Sequence, residues 1–451
     1  LNTTSISAKD FGNNFKWGIA ISAAQNEGAY LDDGRGLSIW DTFARKSGKI
    51  KGGIKPTDCC DFYHRYKDDL LLVKALGFNT FRFSVSWSRI LPDGLGKVNK
   101  AGIAFYNKLI DECLINGLEP MITLYHWDLP NELEKKGGWT SHLMRKWFER
   151  FTTICVNAFG DRVSNWVVMN EPSGFTTLGY MVGQHAPGKI GFDGYMSAIH
   201  NAALCTADGG RIIRSHSSKA NIGTAFSCSE VIPYKDELLH IKAACKADII
   251  LNRIFIEPAL GMGYPEDADF PFLEKLYFHS KAWKYTRQMQ FDFDFIGIQN
   301  YFSLTVKHNS IIPYINASEV KASTRNVPHT DLGWEINPES FYRMIKRFWD
   351  YGNLKSIMVT EGGACFKDQL KNGEVNDDKR IAYYQQYLGA ALKAKQEGVN
   401  LNGYLAWTLT DNFEWAFGYN ARFGLIHVDF DTQLRTIKKS GYWFRNFLKE
   451  K

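Results

Sequence analysis

The sequence predicts an α/β fold in which eight strand–helix units close into a (β/α)8 TIM barrel with extended βα loops. Three observations carry that expectation. Short β-branched or aromatic runs alternate with longer helical patterns about eight times along the 451 residues. The middles of these runs are nearly continuously apolar, as at 163–169 with its interruption at Ser164 and Asn165, the mark of strands covered on both faces. No Gly-rich phosphate loop follows the first run, which disfavours a doubly wound open sheet.

The strands are expected at 15–25, 80–87, 119–126, 165–171, 220–227, 293–301, 355–361 and 401–410. Each is bounded by turn residues or by an amphipathic stretch, never by a tight hairpin, so neighbouring strands run parallel. The helical patterns between and after them fall at 62–76, 103–116, 142–159, 195–215, 237–255, 339–351, 379–398 and 440–449. The stretch at 303–337 is long for a loop, and long loops without structure of their own are usually functional or disordered. Because it carries Trp334, it is expected to wall a substrate cleft. With no linker or low-complexity segment visible, residues 1–451 read as one domain. Barrels of this type commonly hold about 250 to over 400 residues in one unit.

Composition narrows the function classes. Hydrophobic residues make up 45% and charged residues 23%, with a net charge of +6 spread along the chain and no basic stripe, so a nucleic-acid partner is not expected. No apolar run is long enough to span a membrane. The eight cysteines form no Cys-x-x-Cys pair and no cluster at metal-ligand spacing, so buried free thiols and no metal site are expected. Such thiols fit a reducing, cytoplasmic compartment. Residues 1–10 are polar and lack a leader's apolar core, but the chain does not begin with Met, so trimming of a leader stays open. Aromatic residues reach 14%, and many sit beside carboxylates and amides.

In a (β/α)8 barrel the chemistry gathers at the C-terminal ends of the strands. The polar residues expected there are Gln25, Arg82, His126, Asn170, Glu171, Asn300, Tyr301 and Glu361, with Glu414 just past the eighth strand. Amides, carboxylates, a histidine and several tryptophans suit a polyhydroxylated ring with apolar faces. Glu171 ends the fourth run in Met169-Asn-Glu-Pro172, and Glu361 ends the seventh in Thr360-Glu-Gly-Gly363. Cleavage of a glycosidic bond takes two carboxyl groups, one to protonate the leaving oxygen and one to meet the oxocarbenium-like centre. Arg82 can keep a neighbouring carboxylate ionised. Trp127 and Trp139, near the third strand's end, read equally as core packing or pocket wall.

Over essentially its whole length the sequence resembles the family 1 glycoside hydrolases, the β-glucosidase family. The motifs are Gln25-x-Glu27-Gly28, Asp61-Phe-Tyr-His-Arg-Tyr66, Phe81-Arg-Phe-Ser-Val-Ser-Trp-Ser-Arg-Ile90, Leu124-Tyr-His-Trp-Asp-Leu-Pro130, Met169-Asn-Glu-Pro172, Thr360-Glu361 and Trp407-Thr-Leu-Thr-Asp-Asn-Phe-Glu-Trp415, with Arg422-Phe-Gly424. The resemblance implies a retaining mechanism with Glu171 as general acid/base, Glu361 as nucleophile and no cofactor. It implies Gln25, His126, Asn170, Glu414 and Trp415 around the sugar hydroxyls, Trp407 under the ring, and Trp334 and Phe423 lining the pocket. Asn300, Tyr301 and Arg82 would support the glutamates. Two departures stand out: Gly362 where the family usually has Asn, and Asn26 at a position more often apolar.

The expected activity is therefore hydrolysis of terminal β-D-glycosyl residues from small oligosaccharides or aryl and alkyl glycosides, glucosides foremost. A galactoside or fucoside preference within the same family is the alternative, with 6-phosphoglucosides and a non-catalytic sugar-binding barrel further behind. Loss of a glutamate would mark the last, and both are present. The partner is a small carbohydrate; the oligomeric state is not legible.

Overall fold

The computed structural model describes residues 6–449, so 1–5 and 450–451 lie outside the described residues. Eight parallel strands form a closed barrel: β1 (Lys16–Ala20), β2 (Thr80–Ser84), β3 (Glu119–Tyr125), β4 (Asn165–Asn170), β5 (Asn221–Ser227), β6 (Phe295–Gln299), β7 (Ile357–Gly362) and β8 (Leu401–Trp407). Each strand pairs with its neighbours in the chain, and β1 pairs with β8 from Lys16 opposite Gly403 to Ala20 opposite Trp407, which closes the ring. All eight expected strands are present. The first, second, sixth and last are clearly shorter than expected, because the residues after Ala20, Ser84, Gln299 and Trp407 leave the ladder to build the rim.

The barrel is filled by side chains. Met121, Val167, Ala225, Phe295, Met358 and Leu405 form a buried cluster inside it. Phe295 fits because β5 offers Gly223 opposite: a Cβ there would meet the phenyl ring at 2.3 Å. Around the barrel lie α1 (Phe62–Ala75), α2 (Lys100–Ile115), α3 (Met144–Phe159), α4 (Phe192–His216), α5 (Leu238–Asp248), α6 (Pro338–Trp349), α7 (Asp378–Gln396) and α8 (Lys439–Lys449). Helix α6 shows why such segments are helical. Pro338 opens it, the Asn337 side chain accepts from Ser340 N, and Phe341, Met344, Ile345 and Phe348 form one buried stripe.

Three segments differ from expectation. The pattern at 237–255 is interrupted: α5 ends at Asp248, a wider turn covers Ile249–Arg253, and Ile254–Ala259 resumes the helix up to Pro258 and its surroundings. The stretch at 303–337 has structure of its own, with Leu304–His308 pairing between Val231–Pro233 and Ala317–Glu319 in a small sheet. A helix at Pro271–Ser280 was not expected. It buries Phe272, Leu273 and Leu276 and exposes Tyr277 and Phe278 beside Glu274, Lys275 and His279, so aromatic rings interrupt the polar face that would mark it as amphipathic. Seven cysteines are buried and Cys245 is exposed. Among the described residues no helix is long and apolar enough to cross a membrane.

Candidate active site

The C-terminal ends of the strands carry one connected set of polar side chains. Glu361 near the end of β7 is the most tightly held. Arg82 Nη1 donates to its Oε1 at 2.7 Å and the Tyr301 hydroxyl donates to its Oε2 at 2.7 Å. Arg82 is itself fixed, with Nε donating to Thr123 Oγ1 at 2.9 Å and Nη2 donating to Asn170 Oδ1. Asn170 Nδ2 lies 3.2 Å from His126 Nε2, so the guanidinium, the amide and the imidazole form one chain across β2, β4 and β3. Burial, and then the charge of Arg82, hold the His126 pKa well below its ordinary value, which favours the neutral ring.

Glu171 stands directly after β4 with φ 44°, in the left-handed region, and Pro172 starts a short helix behind it. That turn lifts its side chain off the strand. Trp127 and Trp415 also have positive φ, and such residues cost about 1–3 kcal/mol each, which the surrounding structure must offset. Burial first, and the negative charge of Glu361 second, raise the Glu171 pKa well above its ordinary value. Burial raises Glu361 as well, but Arg82, Tyr301 and Gln299 all pull it back. The two carboxyl groups thus act on each other and are unequal: Arg82 hydrogen-bonds Glu361, whereas Glu171 feels that cation only as a lesser influence, after burial and the Glu361 charge. Burial and the Glu361 charge raise Glu414 to about 8, against hydrogen bonds from Trp407 and Gln25.

Aromatic rings enclose the remaining sides. Trp407 lies nearly parallel to His126, with centroids 5.8 Å apart. Trp415 stacks on Trp127 at 4.9 Å, and Trp127 Nε1 donates to Asn170 O, so Trp127 is buried against the strand end that carries Asn170 and Glu171. Trp139 is core, with its Nε1 donating to Tyr125 Oη. Trp334, half-buried, touches Tyr301, Phe302 and Phe423, at 5.7, 5.2 and 5.9 Å between ring centroids. Gln25 sits in a helical turn after β1 and donates to Glu414 Oε2 at 3.3 Å.

One expected residue lies elsewhere. Asn300 does not reach either glutamate; its Nδ2 donates to the Cys228 carbonyl at 2.8 Å and so ties the end of β6 to that of β5. The residue in the expected place is Gln299, whose Nε2 donates to Asn170 Oδ1 at 2.8 Å and to Thr360 Oγ1 at 3.3 Å. Side chains alternate along a strand, and with Phe295 inside the barrel, Gln299 faces inward while Asn300 does not. That parity was the signal that could have found it. The departure at Gly362 has a local explanation too. A Cβ there would meet the Tyr404 hydroxyl at 2.3 Å, so the tyrosine fills the space a side chain would need. Among the described residues no three His, Cys, Asp or Glu side chains converge as metal ligands.

A closed barrel with two coupled glutamates at the ends of β4 and β7, ringed by amides and tryptophans, has the equipment of a sugar-cleaving enzyme. Residues 7–451 match the model of glycosyl hydrolase family 1, and the chain belongs to that family of O-glycosyl hydrolases. It is 39% identical to beta-glucosidase A of Acetivibrio thermocellus over 97% of this chain and 98% of that one. It superposes on the family 1 β-glucosidase of Thermotoga maritima with a TM-score of 0.93 at 38% identity, covering 98% of both chains. A 6-phospho-beta-galactosidase of Clostridium acetobutylicum is 35% identical over 98% of each chain.

Proposed function

We propose that the protein is a retaining β-glucosidase in which Glu361 is the nucleophile and Glu171 the general acid/base. The observation that carries this assignment is the asymmetry between the two carboxyl groups: Arg82 and Tyr301 hold both oxygens of Glu361, while Glu171 is pushed toward its protonated form. An ionised carboxylate attacks the anomeric carbon as Glu171 gives its proton to the leaving oxygen. The Glu171 carboxylate left behind then removes a proton from water, which attacks the glycosyl-enzyme and frees Glu361. Gln25, His126, Asn170, Glu414 and Trp415 hold the sugar hydroxyls, Trp407 offers a flat face to the ring, and Trp334 and Phe423 line the leaving-group side.

Glu361→Ala is expected to lower kcat by about four orders of magnitude or more. Azide should restore cleavage of activated aryl glucosides, yielding the glycosyl azide of inverted configuration. Retention of full activity in the unrescued variant overturns the assignment. A phosphosugar substrate is disfavoured by Glu414, which Gln25 and Trp407 hold in the buried pocket and which offers a phosphate no positive charge in either protonation state. Higher kcat/KM for nitrophenyl β-glucoside 6-phosphate than for the neutral glucoside would reverse that preference.

A further inference from the structure

Gln25 and Glu414 come from opposite ends of the sequence, and two buried side chains that do not belong to the proposed sugar-contacting set join the segments that carry them. Asn26, fully buried, donates from Nδ2 to Thr410 Oγ1 at 3.0 Å. Thr410 belongs to the stretch after β8 that leads through Asn412 to Glu414. On the other side of Gln25, the Ser22 hydroxyl donates to Gln25 Oε1 at 2.7 Å. The acceptors Asn412 Oδ1 and Glu414 Oε2, each at 3.3 Å, take Nε2, and the Ser22 hydroxyl donating to Oε1 completes the same orientation. Gln25 therefore presents its two ends in one orientation only.

Asn26 is the polar residue that departs from the family's usual apolar one, and a buried polar pair with no purpose would be a liability. A buried amide without a partner costs about 1–3 kcal/mol, whereas an apolar pair of the same shape can be nearly neutral. Apolar contact tolerates sliding; a hydrogen bond at 3.0 Å fixes register between the turn after β1 and the segment after β8. We propose that Asn26 and Thr410, with Ser22, are positioning residues that lock the Gln25 amide toward Glu414 and so set how strictly the pocket distinguishes hexopyranosides by the configuration of the hydroxyls those two side chains hold. This rests on the sugar-pocket reading given above.

The test compares kcat and KM on nitrophenyl β-glucoside and nitrophenyl β-galactoside for Asn26→Ile, Thr410→Val, the double variant, Thr410→Ser and Gln25→Ala. The two single variants should raise KM for the glucoside about tenfold with kcat within about twofold, and lower the glucoside-to-galactoside ratio of kcat/KM. The double variant should match Thr410→Val in the ratio, because both lack the Asn26–Thr410 bond while Asn26→Ile also loses the weaker contact of Nδ2 with Cys60 Sγ at 3.7 Å, and Thr410→Ser should restore the native ratio. An unchanged KM and ratio accompanied only by a lower melting temperature overturns the proposal. Gln25→Ala separates the two levels: if it leaves the ratio unchanged, the sugar-pocket reading itself fails. If it shifts the ratio while the Asn26 and Thr410 variants do not, only the lock fails.

Discussion

Arg82 donates from Nη1 to Glu361 Oε1 at 2.7 Å, and the two side chains are 1% and 4% exposed. A buried ion pair contributes little net stability when intact, but losing one partner leaves an uncompensated charge. The same guanidinium also reaches Asn170, so one cation orients both the nucleophile candidate and an amide of the sugar pocket.

Replacing Arg82 by Met should therefore lower kcat/KM roughly 150- to 5,000-fold, the equivalent of about 3–5 kcal/mol for breaking a buried pair. Arg82 pulls the Glu361 pKa down, so its loss leaves more of that carboxyl protonated at any given pH. The acidic limb of the kcat/KM profile must move to higher pH. An unmoved limb would contradict the nucleophile assignment.

Glu171 yields a stability prediction. Its folded-state pKa lies well above the ordinary 4.5, chiefly through burial and then through Glu361. Between the unfolded and folded values the native protein binds the extra proton, so this carboxyl's contribution to stability declines as pH rises. Glu171→Gln has no such carboxyl. Its melting temperature should exceed that of the native protein by a margin that widens from about pH 4.5 upward, measured by scanning calorimetry across pH 4–9. A margin that shrinks with pH would show that the pKa is depressed instead.

Gln299→Leu removes the amide that bonds Asn170 and helps keep Glu361 ionised. Leaving those buried partners unsatisfied costs about 1–3 kcal/mol, or roughly five- to 150-fold in kcat/KM. Asn300→Leu should instead act on stability, with kcat/KM within about threefold of native, since its amide bonds a main-chain carbonyl. Equal kinetic losses in the two variants would contradict the inward-facing assignment of Gln299.

Gly362→Ala should destabilise the fold by about 1–3 kcal/mol through overpacking against Tyr404, read as a lower urea midpoint at unchanged m-value. The Tyr404 hydroxyl is buried without a partner, so Tyr404→Phe should be close to neutral alone and should recover part of the loss in the double variant. No recovery would mean that the clash lies elsewhere.

The barrel was legible because its strands are apolar on both faces and its helices carry stripes, as α6 does. The two glutamates were legible because each follows an apolar run directly and precedes turn residues. What escaped depended on geometry that residue types do not carry. Asn300 and Gln299 are adjacent amides, and only the parity of β6 separates them. The helix at Pro271–Ser280 was hidden by aromatic side chains on its outer face. The hydrogen bond from Asn26 to Thr410 joins residues 384 positions apart, and it follows from closure of the ring.

That closure orders events during synthesis. Both glutamates precede residue 362, whereas Trp407, Glu414 and Trp415 lie in or beyond the strand that pairs with β1. Residues up to 400 include both glutamates of the proposed mechanism, but of the proposed sugar-holding residues only Gln25, His126 and Asn170. Until the eighth strand pairs with the first and the seventh, the ring that sets the two glutamates against each other is open and the cradle is incomplete.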